Sequence, residues 1–237
     1  MNKSRFYMFL SNGLIAVMLL SLTVLTFVDP VKAVVVQDAY KVYYNGDTNG
    51  QNVSLMFNVY WGNEYLDGIL DILKQNNIKT TFFVGGIWVN QYNEELLKIV
   101  DDGHEIGNHG YFHKSHDNLD YLQNQDEIFS THKLVKSLAN INMNLFAPPS
   151  GAYNDTTLQV AKNLGYQTIM WTKDTIDWRD QDATIIFDRA IKNLKAGDLI
   201  LMHPTKATLQ ALPQIIEHIK AQNLNISTVS QNINLCA

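Results

Sequence analysis

The sequence predicts an α/β chain built on one parallel sheet closed as a (β/α) barrel, and three observations lead there. Short β-type runs alternate with helical patterns from residue 53 to the C-terminus. The strand candidates are near-continuous apolar runs, as expected where both faces of a strand are covered. Asn58, His109, Asp174 and His203 each fall at or just past the C-terminal end of a β-type run, the rim on which barrels build their chemistry. The alternation alone also allows an open doubly wound sheet. The placement of the polar residues favours the barrel.

Taken in order, Val53-Ser-Leu-Met-Phe-Asn-Val59 is an unbroken run of strand length. Leu66, Ile69, Leu70 and Leu73 recur at helical spacing, and Asn76-Asn77 ends that helix. Lys79 to Val84 reads as the next strand, halted by Gly85-Gly86. Leu96, Leu97 and Val100 mark a helix stopped by Gly103, with Asp101-Asp102 as its charged end. A longer helix carries Leu134, Val135 and Leu138. Further strands are expected at 144–147, 166–171, 198–202 and 225–229, with helices around 158–164, 185–194 and 209–219 between them. Asn154-Asp155 supplies an N-cap signal. No repeat or low-complexity linker interrupts residues 53–237, which read as one domain. Ahead of it, residues 34–52, with Asn45-Gly46 and Asn49-Gly50, read as a turn-rich hairpin.

Residues 1–33 stand apart. Lys3 and Arg5 precede an apolar stretch from Gly13 to Val28, and Val31-Lys32-Ala33 offers small residues for cleavage. This reads as a secretory signal peptide; uncut, the same run is a short N-terminal anchor. Either outcome places the remainder outside the cell or on the outer face of the membrane. That remainder holds 15 basic and 22 acidic residues, a formal charge of −7, and no basic stripe, which argues against nucleic acid or anionic lipid as partner. The single cysteine, Cys236, cannot form an internal disulfide, so any metal site is not thiolate-based.

The segment His104-Glu-Ile-Gly-Asn-His109-Gly-Tyr-Phe-His113 sets two imidazoles four residues apart. On a helical turn that spacing puts both rings on one side, where they can chelate one divalent cation. The pair alone is a weak signal. Together with motifs elsewhere, the chain resembles the polysaccharide deacetylases, carbohydrate esterase family 4 or the NodB-homology domain, from Val53 to about Val229. That family carries five motifs in fixed order. Thr-Phe-Asp-Asp-Gly appears here as Met56-Phe57-Asn58-Val59-Tyr60, and the His-x3-His pair is His109 and His113. Arg-x-Pro-x-Gly becomes Ala147-Pro148-Pro149-Ser150-Gly151. Asp174-Thr-Ile-Asp177-Trp178 and Leu201-Met-His203 are intact. The wording around Trp61 and His109 most resembles the sporulation-associated branch.

The resemblance implies a single deformed (β/α) barrel. It also implies a metal-dependent hydrolase of carbon–nitrogen bonds other than peptide bonds, removing acetyl groups from N-acetylated amino sugars of peptidoglycan or chitooligosaccharide. Such chemistry needs a Lewis acid and a base to turn water on an acetamide. By the same resemblance His109 and His113 are ligands for a divalent metal, zinc by preference, and His203 is the acid. Asp177 orients and charge-stabilises His203, and the backbone N–H of Ser150 donates to the oxyanion. Trp178, Leu201, Pro149, Tyr60 and Trp61 are candidate substrate contacts, the last two by stacking on a sugar ring.

The departures fall on the most demanding positions. Asn58 stands where the family has its base, Val59 where it has the carboxylate ligand, and Ala147 where an arginine pairs with the base. Two histidines alone leave a zinc short of the usual three protein ligands, so the metal is expected to be weak or absent. Glu64, five residues beyond Val59, is a candidate replacement carboxylate. The resulting expectation is a cell-wall glycan deacetylase of weak or lost activity. The alternative is a silent glycan-binding module on the same fold, and an unrelated two-histidine metallohydrolase would require the intact motifs to be coincidence. Outside the motifs, His104 is expected to pack or bond within its strand, Trp88 to be core, and His116, His132 and His218 to be solvated or on helix surfaces.

Overall fold

In the computed structural model, which describes residues 12–18 and 40–235, nine short strands form one sheet with parallel pairing throughout. They are β1 (Val42–Tyr43), β2 (Asn52–Val59), β3 (Thr81–Val84), β4 (Glu105–Asn108), β5 (Leu145–Phe146), β6 (Gln167–Ile169), β7 (Lys173–Asp174), β8 (Leu199–Met202) and β9 (Asn225–Ile226). The order is β1-β6-β5-β4-β3-β2-β8-β7, with β9 paired to β2. Thr168 faces Phe146 of β5, while Lys173 and Asp174, a few residues on, face Ile200 and Leu201 of β8. One continuous segment, 167–174, therefore runs from β6, beside one end of the ladder, to β7 at the other and curls the sheet into a deformed barrel.

Alternation along β2 separates two cores. Val53, Leu55, Phe57 and Val59 point to the helix layer, where Phe57 stacks on Phe82 with centroids 5.0 Å apart. Met56 points the other way, into a lumen filled by Phe83, Leu145, Ala147, Ile169, Leu199 and Leu201. Side chains one residue apart on a strand face opposite sides, so this split follows from β geometry.

Around the sheet lie α1 (Asn63–Gln75), α2 (Gly86–Gln91), α3 (Asn93–Asp101), α4 (Tyr121–Ala139), α5 (Asp155–Asn163), α6 (Ala183–Ile191), α7 (Lys206–Ala221) and α8 (Val229–Asn232). The expected face of α1 is buried as read: Leu66, Ile69, Leu70 and Leu73. The cap at Asn154 is a reciprocal capping box with Thr157. On α3 the buried pair is Leu96 and Ile99, and Leu97 is exposed. On α4 Val135 is buried, while Leu138 is exposed because the inward face also carries Asn124, Glu127 and Thr131. Hydrophobicity alone does not find such a face.

Two other expectations are corrected. The part of 34–52 that is described makes no hairpin: β1 pairs in parallel with β6, and Gly46 N–H bonds to Gly197 O at 2.7 Å. Its residues from Tyr40 onward belong to the barrel's compact unit, Tyr40–Ala237. His116 is not on the surface either but fully buried, whereas His132 and His218 are half-buried on their helices, His132 bonding Tyr166 Oη at 2.6 Å and His218 packing edge-on to Phe187. Residues 12–18 are helical within a separate unit, Met1–Ala39; the rest of the segment expected to be a signal peptide or anchor, and Cys236, lie outside the described residues. No helix among the described residues is long and apolar enough to cross a membrane.

His104 does bond locally. It sits just before β4, its Nδ1 accepts from Thr80 N–H at 3.2 Å, and its ring meets Phe82 edge-on. Burial, with the nearby Lys79 charge, pushes its pKa down to about 4. The unfolded imidazole titrates near 6.5, so the unfolded chain takes up the proton first. The stability contributed by neutral His104 is complete above about pH 6.5 and is lost as pH falls toward 4, by about 3 kcal/mol in all. Urea midpoints at pH 7 and pH 4.5 should therefore differ less in His104→Gln than in the wild type. An equal drop in both would place the acid sensitivity elsewhere.

Candidate functional site

At the C-terminal ends of β2, β4, β7 and β8 a cavity of about 310 Å³ opens, within the range that holds a small ligand. Its floor and walls include Asn58, His109, His113, His203, Ser150 and Leu201. Tyr60, Trp61 and Trp178 line its mouth with Asp174 and Trp171. Imidazoles distant in sequence thus converge on one hollow, as the motif order requires.

His109 follows β4 and is almost wholly buried. Its Nδ1–H donates to the Ala147 carbonyl at 2.7 Å, which leaves Nε2 as a lone-pair donor in the neutral ring. Burial first, then the neighbouring His113, holds its pKa well below the usual value. His113 stands T-shaped to it with centroids 5.1 Å apart, and burial lowers its pKa too. The expected helical turn between them is absent. Residues 109–113 form a loop that passes through left-handed Gly110 (φ 69°) and left-handed His113 (φ 56°). A Cβ at position 110 would also meet His116 Nε2 at 3.0 Å, so this turn needs glycine twice over.

Glu127 holds that loop and was not singled out from sequence. Its buried Oε2 accepts from the N–H groups of Tyr111 (2.8 Å) and Phe112 (2.7 Å), and Oε1 pairs with Lys114 at 3.1 Å. The available signal was the polar spacing Asn124, Glu127, Thr131 along one side of α4. Asn108 does the same from the strand side, with Oδ1 accepting from Gly110 N–H at 2.9 Å.

His203 is fixed by a buried carboxylate. Asp177 has no exposed surface; its Oδ1 accepts from His203 Nδ1 at 2.7 Å and its Oδ2 from His203 N–H at 2.6 Å and from Thr208 Oγ1. Three donors on one buried carboxylate satisfy a charge that would otherwise be costly there. Trp61 lies parallel to the His203 ring, 3° off coplanar with centroids 5.9 Å apart. Left-handed Gly62 lets this turn close, since a Cβ there would fall 2.0 Å from Pro204 O.

The substituted positions resolve differently. Asn58 is 5% exposed and faces the cavity, with its Oδ1 buried and unpartnered. Val59 turns away into the helix-side core, at 1% exposure. Ala147 fills the lumen. Glu64 is exposed in the first turn of α1 and is not part of the cavity lining, so it does not stand in for the missing carboxylate here. Pro149 is buried behind the loop, beside Gly110, and is also outside the lining. Ser150 lines the cavity in a left-handed conformation (φ 55°).

The donor set does not fit a catalytic divalent metal. Two neutral imidazoles are presented, and among the described residues no group of three or more His, Cys, Asp or Glu side chains is placed to hold an ion. A catalytic zinc ordinarily takes three protein ligands. The position from which a third would come is a valine packed in the core.

Glu127→Ala should raise amide exchange at Tyr111 and Phe112 by tenfold or more, since each hydrogen bond to a charged acceptor contributes about 1.5–3 kcal/mol. Unchanged exchange there would show that the backbone bonds from α2, Gly86 N–H to Gly110 O and Ile87 N–H to Tyr111 O, suffice to hold the loop.

A family model described as polysaccharide deacetylase matches residues 45–169. Among curated proteins, the uncharacterized protein YlxY of Bacillus subtilis is 35% identical over 188 residues, covering 79% of this chain and 59% of its own length. The peptidoglycan-N-acetylmuramic acid deacetylase PdaA of the same organism is 29% identical over 197 residues, covering 81% of this chain and 75% of its own. Among solved structures, a CE4 family pseudoenzyme from Bacillus anthracis superposes with a TM-score of 0.80 at 35% identity, covering 82% of this chain and 69% of that one. A mutant of that pseudoenzyme, described as having restored enzymatic activity, superposes equally well.

Proposed function

Because this chain belongs to the polysaccharide deacetylase family and keeps its groove without its base, we propose that it binds an N-acetylated cell-wall glycan and has lost the hydrolysis. The observation that carries this reading is the end of β2. The residue facing the cavity is an amide, Asn58, and the next residue is buried on the far side of the sheet. An amide does not take a proton at neutral pH, and losing a general base costs roughly 10²–10⁴-fold in rate. The pseudoenzyme from Bacillus anthracis supports the same direction.

What remains suits recognition. Trp61 and Trp178, 43% and 54% exposed, offer aromatic faces to sugar rings at the mouth of the cavity. Leu201 gives an apolar contact for the acetyl methyl, and the Ser150 N–H is the donor proposed for the acetyl carbonyl. His203, held by Asp177, lines the same cavity. His109 and His113 retain a weak affinity for a divalent cation, zinc by preference. Residues 1–33, read as a signal peptide or anchor, support a location outside the cell or on the outer face of the membrane, where such glycans lie. A second reading, residual deacetylation, is favoured by the undisturbed His203–Asp177–Thr208 arrangement.

Titration with N-acetylated chitooligosaccharide and with peptidoglycan fragments should give binding unaffected by a chelator, and no acetate release above the blank. The triple variant Asn58→Asp, Val59→Asp, Ala147→Arg, supplied with zinc to draw residue 59 round toward His109 and His113, should release acetate at least 10²-fold faster than the wild type, the scale of one general base. Chelator-sensitive acetate release by the wild type would replace this reading with the second.

The orientation of Val59 adds a stability test. Without added metal, Val59→Asp alone puts an unpaired carboxylate in an apolar core, and the urea midpoint should fall by an amount equivalent to about 2–4 kcal/mol. An unchanged midpoint would mean that the strand end rotates to expose residue 59.

A further inference from the structure

Asn108 and Asn124, both fully buried, use each end of the side-chain amide. Nδ2 donates to a backbone carbonyl in both, and Oδ1 accepts, from Gly110 N–H in the first and from His116 Nδ1 in the second. Asn58 differs. It is 5% exposed, its Oδ1 is buried without a partner, and its side chain makes no hydrogen bond among the described residues. The accessible end of the amide is therefore Nδ2, at the cavity wall. A buried polar atom left unpaired opposes folding, so one that persists calls for a reason other than stability.

The strand register fixes where that amide stands. Asn58 pairs with Phe83 of β3, whose ring fills the lumen, so the two side chains share the inner face of the sheet. Met56 pairs with Leu201 of β8, and both are luminal. Asn58 is thus one inward position beyond the level of Leu201, about 7 Å along the strand for two residues of rise. With van der Waals contact at one end and a hydrogen bond at the other, an acetyl group is long enough to bridge that interval. Its methyl rests on Leu201 and its carbonyl oxygen reaches Asn58.

We propose that Asn58 is a binding residue in its own right: its Nδ2–H donates to the acetyl carbonyl of the bound sugar, beside the Ser150 N–H on the second lone pair of the same oxygen. The proposal rests on the glycan-binding reading above. A carbonyl oxygen accepts two hydrogen bonds, and an ionised aspartate at position 58 would offer it only a further lone pair. One side chain therefore has two effects. The amide removes the base and adds a donor, so the change that ends hydrolysis strengthens the hold on the acetylated form. A sugar without the acyl carbonyl leaves Nδ2 with no acceptor, and a site built around a hydrogen bond discriminates against a ligand that lacks its partner.

The test is calorimetric titration of the full chain, with a chelator present, using N-acetylated chitotriose and the same trisaccharide carrying N-thioacetyl groups. The sulfur keeps the shape and the N–H but accepts hydrogen bonds poorly. Wild type, Asn58→Leu and Asn58→Asp are compared, and Asn58→Ala replaces the leucine variant if that one does not fold. The loss of affinity from oxygen to sulfur should be about two- to tenfold larger in the wild type than in Asn58→Leu, the scale of one neutral hydrogen bond. Asn58→Asp should bind the N-acetyl ligand no better than Asn58→Leu does. An equal loss in wild type and Asn58→Leu, or an Asn58→Asp variant that binds as tightly as the wild type, overturns the role of Asn58 and leaves the glycan-binding reading standing. Failure of the wild type to bind either sugar overturns both.

Discussion

The period-two alternation of β2 is the constraint on which the site depends. It sends Val53, Leu55, Phe57 and Val59 outward under the helices and Met56 and Asn58 inward, and both faces are closed by fully buried side chains. A slip of one residue would exchange the two sets and place Asn58 in the apolar shell, so the pairing with β3 and β8 is strongly specified. At the end of β2 the register turns an amide, Asn58, inward and packs Val59 into the helix-side core. The loss of the base and the loss of a third ligand are two consequences of one strand end.

Around that strand end the remaining groups are organised by buried carboxylates. Asp177 gathers three donors and fixes the His203 ring, and Glu127 gathers two backbone N–H groups and fixes the loop carrying His113. Each is a charge withdrawn from water and satisfied in place, an arrangement that is costly to break from one side only. This explains how a site with its base replaced can still have a rigid geometry. The scaffold that orients the imidazoles uses the backbone carbonyl of Ala147 but not the side chains of Asn58, Val59 or Ala147, so those side chains can change without the cavity collapsing.

Charge plays a structural part beside the cavity as well. Lys173 pairs with the buried Asp198 and donates to the Lys192 carbonyl, and Arg189 joins Thr175 O to Asp180, so that both cations hold β7 against α6 and the turn that follows it.

Much of this was legible in the sequence. The alternation of apolar runs and helical spacings specified a parallel α/β sheet, because each element must bury its own hydrophobic face and the period of that face names the element, and the polar residues at the strand ends favoured its closure as a barrel. The motifs named Asn58, His109, His113, Asp177 and His203, since a site is written in a few residue types at strand ends. Tertiary structure decided what local pattern does not encode. The His109–His113 spacing suggested a helical turn, yet pairing of β4 with β3 and the bonds from Glu127 impose a left-handed loop. His116 looked solvated and is buried, because α4 packs over it and offers Asn124 as a partner. Glu64 was near in sequence but lies on an outward helix face, whereas Asp174, more than a hundred residues from β2, lines the cavity. The physical reason is common to these cases: which way a side chain points is set by pairings between segments far apart in the chain, and a local pattern carries no information about those.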